Sequence, residues 1–158
     1  GQAELEIEAS GNWVFPAWGT RVSEQGIHTH EWVLSLNQEL PFVLDIHLGA
    51  GEALIDLSHL RVESLDLDLG LGRASVRLPK QGLKQARIHA SIGETEIIVP
   101  QGSLLALELD TGITAVEIIG LEQEGDYYRT SEAIMGTEPT QLSIEHAMGR
   151  VIIRQERP

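Results

Sequence analysis

A glycine flanked on both sides by alternating apolar residues recurs along this chain, and its spacing constrains the fold more than any other feature. The clearest example runs from Leu65 to Leu78: Leu-Asp-Leu-Asp-Leu-Gly-Leu-Gly-Arg-Ala-Ser-Val-Arg-Leu. Alternation implies a strand with one buried face, and a central glycine implies a tight bend. The stretch therefore predicts a strand, a corner at Gly72 and a second strand.

The pattern repeats around Gly51, Gly72, Gly93, Gly112 and Gly149, at intervals of 21, 21, 19 and 37 residues. Seven, five and three residues before each glycine stand Leu44, Ile46, Leu48; Leu65, Leu67, Leu69; Ala86, Ile88, Ala90; Leu105, Leu107, Leu109; and Leu142, Ile144, His146. Four and six residues after it stand Ile55, Leu57; Val76, Leu78; Ile97, Val99; Val116, Ile118; and Ile153, Gln155. Val62, Leu83 and Leu104, eleven residues after their glycines, suggest a third inward corner. A unit of this length cannot bury its apolar row alone, so it predicts stacking of unit on unit. The fold expected is an all-β, single-stranded β-solenoid, β-helix or β-roll-like, with about five to six coils of roughly 20 residues.

The outward positions test the register. Stacked coils bring equivalent side chains about 4.8 Å apart. One residue after the glycine the column reads Glu52, Arg73, Glu94; Asp56 then faces Arg77, and Asp66 lies between Asp45 and Arg87. Opposite charges in cross-strand positions favour this alignment, at about a few tenths of a kcal/mol per exposed pair. A one-residue slip would bury the charges instead.

One domain is expected over 1–158, divided into an N-terminal cap and first coil (1–42), regular coils (43–118), an inserted excursion (119–141) and a last coil (142–158). Trp13, Phe15, Trp18, Trp32 and Phe42 fall in the first 42 residues, where large rings would plug the open end of the stack. The same rings, Trp18 among them, could instead form a sugar-stacking or protein-docking patch. The excursion holds Tyr127 and Tyr128, which with Trp18 are the candidate partner-binding residues. The charged end of the last coil, Arg154 to Pro158, is suited to blunting a sheet edge.

Twenty-four acidic against eleven basic residues give a net charge of −13, which repels phosphate backbones and anionic lipid. Nucleic-acid binding is disfavoured. The absence of cysteine excludes disulfides and thiolate metal sites. No membrane-length apolar run occurs, and the start at Gly1, directly before a strand-like Ala-Glu-Leu-Glu-Ile, leads us to expect a removed targeting or anchoring segment.

Metal chemistry has two candidate sets. His28 and His30 share one face of a strand beside Glu31, and the solenoid register stacks His47, Asp68, His89 and Glu108 in one outward column. Both sets read as solvated residues on an acidic face, since spacing fixes no third or fourth ligand, and no metal or other cofactor is assigned. Asp66 and Asp68 resemble a carboxylate pair, but an exposed flat face does not split two pKa values. No Gly-x-Ser-x-Gly, His-Glu-x-x-His or phosphate-cradling motif occurs, and a non-enzyme is expected.

The repeats Leu44-Asp-Ile-His-Leu-Gly-Ala-Gly51 and Leu65-Asp-Leu-Asp-Leu-Gly-Leu-Gly72, with the Ile97-Ile-Val-Pro100 end of the third copy, resemble the bacterial toast-rack domain. That family is similar to the C-terminal region of LiaF-type cell-wall-stress proteins and, more distantly, to β-solenoids of the adhesin class. The resemblance implies a stacked β-solenoid, tethered to the bacterial membrane through an N-terminal segment, in a non-catalytic envelope role with no catalytic residues to carry over. It favours an interaction or sensory module that meets a protein partner through an acidic sheet face or the 119–141 excursion. The alternative is a carbohydrate-binding or adhesion module working through the N-terminal aromatics on a glycan.

Overall fold

A straight strand of 16 residues, the length of Pro41–Asp56, would extend about 53 Å, while a four-residue connection reaches only about 14 Å. Parallel neighbours joined by such turns must double back within each strand. The computed structural model describes residues 3–9, 36, 38–132 and 138–157 and has this construction. Its strands are β1 (Ala3–Ala9), β2 (Pro41–Asp56), β3 (Arg61–Arg77), β4 (Gln85–Val99), β5 (Leu104–Ile119), β6 (Glu122–Glu124), β7 (Tyr127–Arg129) and β8 (Thr140–Gln155). None of the described residues is helical. Both halves of the long strands feed one apolar cluster: Leu44 and Ile46 with Leu57, Leu65 and Leu67 with Val76 and Leu78, Ile144 with Val151 and Ile153.

The fold is all-β, as expected, but the sheet is mixed and does not follow chain order. Its order is β1-β2-β3-β4-β8-β5-β7-β6. Strands β1, β2, β3, β4, β8 and β5 pair in parallel, whereas β7 is antiparallel to both β5 and β6. The last repeat, expected at the end of the stack, instead lies between β4 and β5. Its charged tail therefore does not blunt an edge: the Arg154 guanidinium contacts Glu96 on β4, and the Glu156 amide donates to the Val99 carbonyl at 2.7 Å.

This insertion also corrects the fourth repeat. Gly51, Gly72 and Gly93 are register partners in turn, and Gly93 pairs with Gly149, but Gly149 pairs with Thr114 rather than Gly112. Counted to Thr114 the interval from Gly93 is again 21 residues (114 − 93), so the 19-residue spacing is not a shortened coil. Gly112 belongs to the column of Gly49 and Gly70, two residues earlier. Leu107 and Leu109, with Val116 and Ile118, are then the inward residues of β5, opposite Leu142, Ile144, Val151 and Ile153.

The corner glycines are required by backbone approach. Gly51, Gly72, Gly93 and Gly149 all have φ between +132° and +142°. A Cβ on Gly72, Gly93 or Gly149 would lie 1.7–1.9 Å from the carbonyl oxygen of the preceding glycine in the column, inside any tolerable contact.

The inward rows are buried as the alternation predicts, with Leu65, Leu67, Val76, Ile97, Ile144, Val151 and Ile153 fully enclosed. Each such side chain contributes about 1.5–3 kcal/mol by leaving water. Val62 is buried at the third corner, and Leu83 packs against the same cluster. The outward ladder pairs as expected: Arg73 lies 3.8 Å from Glu52 and 3.6 Å from Glu94, Arg77 lies 3.8 Å from Asp56, and Arg87 lies 3.9 Å from Asp66. The expected aromatic cap, with Trp13, Phe15, Trp18 and Trp32, lies outside the described residues.

Candidate interaction surface

The bend divides each long strand into two legs whose outward faces differ in charge. On the second leg, beyond the glycine, acids and bases alternate: the Glu52, Arg73, Glu94 column continues into Arg150, and Arg77 is shared between Asp56 and Glu156. Arg154 and the Ser75 hydroxyl, at 3.0 Å, both bond Glu96, and its carboxyl is held below the usual value of 4.5, first by Arg154. On the first leg the balance is lost. The column six residues before the corner reads Glu6, Asp45, Asp66, Arg87, Ser143, Glu108, and the column four before it reads His47, Asp68, His89, Glu145, Asp110. One arginine and two imidazoles face carboxylates from five strands, so the first leg carries an acidic face.

The second of these columns corrects the expected one. Glu108 is not its fourth member, because β8 intervenes and Glu108 pairs with Ser143. Within the column His47 Nδ1 lies 3.6 Å from Asp68 Oδ2, and His47 Nε2 lies 3.0 Å from Asp45 Oδ1, an ion-pair approach without hydrogen-bond geometry. Among the described residues no three His, Asp or Glu side chains converge as a metal site would require, so His47, Asp68 and His89 are not brought together as ligands. His28 and His30 lie outside the described residues.

Two of the hollows among the described residues lie beside polar side chains of the sheet. The larger, about 650 Å³, opens among the turns at 57–60 and 78–84, lined by Arg61, Lys80 and Lys84 with Ser58 and His59. Its hydroxyl residue is committed to turn geometry. The Ser58 amide donates to Asp56 Oδ1 at 3.0 Å, and hydrogen bonding from Ser58, side chain before backbone, lowers the Asp56 pKa. The smaller hollow, about 180 Å³, lies at the bend between β8 and β5, beside His89, Asp110, Glu145 and His146.

His146 occupies an inward position and is buried. The Thr114 hydroxyl donates to the His146 carbonyl at 3.0 Å and sits 3.1 Å from Nδ1, so the neutral tautomer carrying its proton on Nδ1 satisfies both groups. Nε2 has no partner. Burial pushes the imidazole below its ordinary value of 6.5. The unfolded chain then takes up the proton more readily than the folded one. The stability held above pH 6.5 is lost as pH falls through the interval between the two values. In urea melts between pH 7.5 and 5, His146→Leu is expected to flatten this dependence, and an unchanged slope would contradict the assignment.

Tyr127 and Tyr128 lie on the hairpin formed by β6 and β7, turned at Gly125 with φ +63°. Tyr127 is exposed, whereas Tyr128 pairs with Leu105 and packs against the core, so only the first offers a free ring. Trp18 lies outside the described residues. Two features were not anticipated. The residue just before the corner position is apolar in every repeat, and Leu71, Ile92, Met148 and Ile113 stack in one column as an exposed ridge along the bend. Among the described residues the outer side of β5 is paired only at Leu104–Ala106, by β7.

The sequence pattern that defines the N-terminal domain of toast-rack, DUF2154, matches residues 1–98. The chain belongs to the toast-rack family. No curated protein matches it. The fold of this toast-rack chain is also that of a candidate cell adhesion protein from Clostridium sporogenes, solved by crystallography, with a TM-score of 0.68 at 24% identity. The likeness covers 89% of the toast-rack chain and 68% of that protein. Among the described residues no helix is long and apolar enough to cross a membrane.

Proposed function

We propose that this toast-rack chain is a non-enzymatic interaction or sensory module of the bacterial cell envelope, the part of a membrane-tethered protein of the cell-wall-stress type that meets a protein partner. On this reading the parallel strands are turns of a solenoid, with the last turn threaded between the third and fourth. The supporting observation is the unbalanced first-leg face, where Glu6, Asp45, Asp66, Asp68, Asp110 and Glu145 occupy adjoining outward positions. A flat face of this kind offers long-range attraction to a basic partner and no enclosed space for chemistry. Family membership points the same way, since the toast-rack resemblance implies no catalytic residues.

The reading is tested by cross-linking to envelope membrane proteins, with wild type and an Asp66→Lys/Asp68→Lys variant compared at low and high salt. Both aspartates are about half exposed, so the variant should fold. A specific cross-linked protein, lost with the variant and weakened by salt, is the expected result. Retention of a glycan on an array, abolished by Trp18→Ala and indifferent to charge reversal, would instead establish the carbohydrate-binding alternative.

A further inference from the structure

We propose that the outer edge of β5, residues 107–119, accepts an extended segment of another protein in which apolar residues alternate with Lys or Arg. This deepens the partner-binding reading above and rests on it. The apolar rows of the sheet end unfinished at this strand. In the column two residues past the corner, Ala74, Thr95 and Val151 are all but completely buried, yet Val116 on β5 is 41% exposed. Ile113 is 77% exposed at the end of the apolar ridge, and Ile119 is also open. One more strand laid against β5 would finish these rows. Among the described residues none does so, because β7 stops at Ala106.

Edge strands that must not pair carry lysine, proline or a bulge. Residues 107–119 contain no Lys, Arg or Pro, and their pairing with β8 runs without a register shift. Their backbone is therefore available for strand addition.

The charges select the occupant. Glu108, Asp110 and Glu117 point outward, since they share columns with Ser143, Glu145 and Ile152, while Leu107, Leu109, Val116 and Ile118 share columns with buried Leu142, Ile144, Val151 and Ile153. A second copy stacked antiparallel must set inward residues opposite inward ones, which places Leu107 against Ile118 and Leu109 against Val116. The same register sets Glu108 against Glu117 twice, and a shift by two residues sets Asp110 against Glu117 twice. Like charges directly opposite destabilise a pair. The edge thus disfavours its own kind and fits a strand with apolar residues facing in and basic residues facing out.

The probe is a synthetic peptide of two alternating valine-lysine blocks joined by a Gly-Ser-Gly bend, with a valine-glutamate peptide as control. Amide hydrogen exchange on the intact chain is expected to show new protection confined to 107–119 with the lysine peptide only. The Glu108→Lys/Glu117→Lys variant should weaken its binding at least tenfold, while Glu52→Lys, exposed on β2 and remote from β5, should leave it within about threefold. Equal binding of the glutamate peptide, protection elsewhere in the sheet, or concentration-dependent self-association through β5 would overturn the proposal. Failure of the lysine peptide, with envelope cross-linking through Asp66 and Asp68 intact, would overturn it and leave the broader reading standing. Loss of that cross-linking as well would end both.

Discussion

Gly72→Ala is expected to prevent the chain from reaching its native state at ordinary temperature, with a cost above about 4 kcal/mol. Two effects combine. The residue has φ +137°, where an L side chain is strained, and its new Cβ would lie 1.9 Å from the Gly51 carbonyl oxygen. That oxygen belongs to the backbone of the neighbouring strand, so it can retreat only if the parallel ladder opens. Gly51→Ala isolates the first effect, because it shares the dihedral (φ +134°) but a Cβ there meets nothing within 4 Å among the described residues. It should cost about 1–3 kcal/mol, the strain alone. Equilibrium urea unfolding of both variants measures the difference. Equal costs would mean that close stacking of the corners is not why glycine stands there.

The second large effect is Leu67→Ala, which removes a fully enclosed side chain from the middle of the stack, between Ile46 and Ile88. Neighbours on adjacent parallel strands are held by their own ladders and cannot collapse far into the space. A loss of about 2–5 kcal/mol is expected. Leu71→Ala, four residues on and exposed on the ridge, should fall within about 0.5 kcal/mol of wild type. Comparable losses at the two positions would show that inward and outward residues have been misassigned.

The repeat was legible because one physical demand writes each column. An inward row must be apolar, a corner under a neighbouring backbone must be glycine, and an outward column tolerates charge only where signs alternate. Those demands give the partners of Leu65, Gly72 and Arg73 without a structure. Strand order was not legible, since a 37-residue gap before Gly149 is equally compatible with a coil placed last and with one threaded inward. Thr114 shows why the fourth repeat misled. Thr114 does not adopt the positive φ of the glycine corners and so can carry a side chain, while Gly112, under the Ala147 carbonyl, offered a false anchor. The same exchange moved Glu108 out of the histidine column and put Glu145 and Asp110 into it. The acidic face was visible as a charge count but not as a surface, because its imbalance appears only when six strands are laid side by side. The apolar ridge was written plainly just before each corner position, yet alternation alone assigns those residues inward. The corner, with its positive φ, turns them out.

The placement of β8 between β4 and β5 carries most of this account, and the absence of native cysteine allows it to be tested by disulfide trapping. Glu94 and Arg150 are register partners on adjacent strands, and Arg150 is in turn the partner of Ala115. Adjacent strands lie about 4.8 Å apart, within disulfide reach, and strands two apart lie about 9.6 Å apart, beyond it. The double variant Glu94→Cys/Arg150→Cys should oxidise to a single intramolecular disulfide, and Glu94→Cys/Ala115→Cys should remain reduced under the same conditions. A disulfide in the second variant and none in the first would place β5 beside β4 and contradict the threaded order.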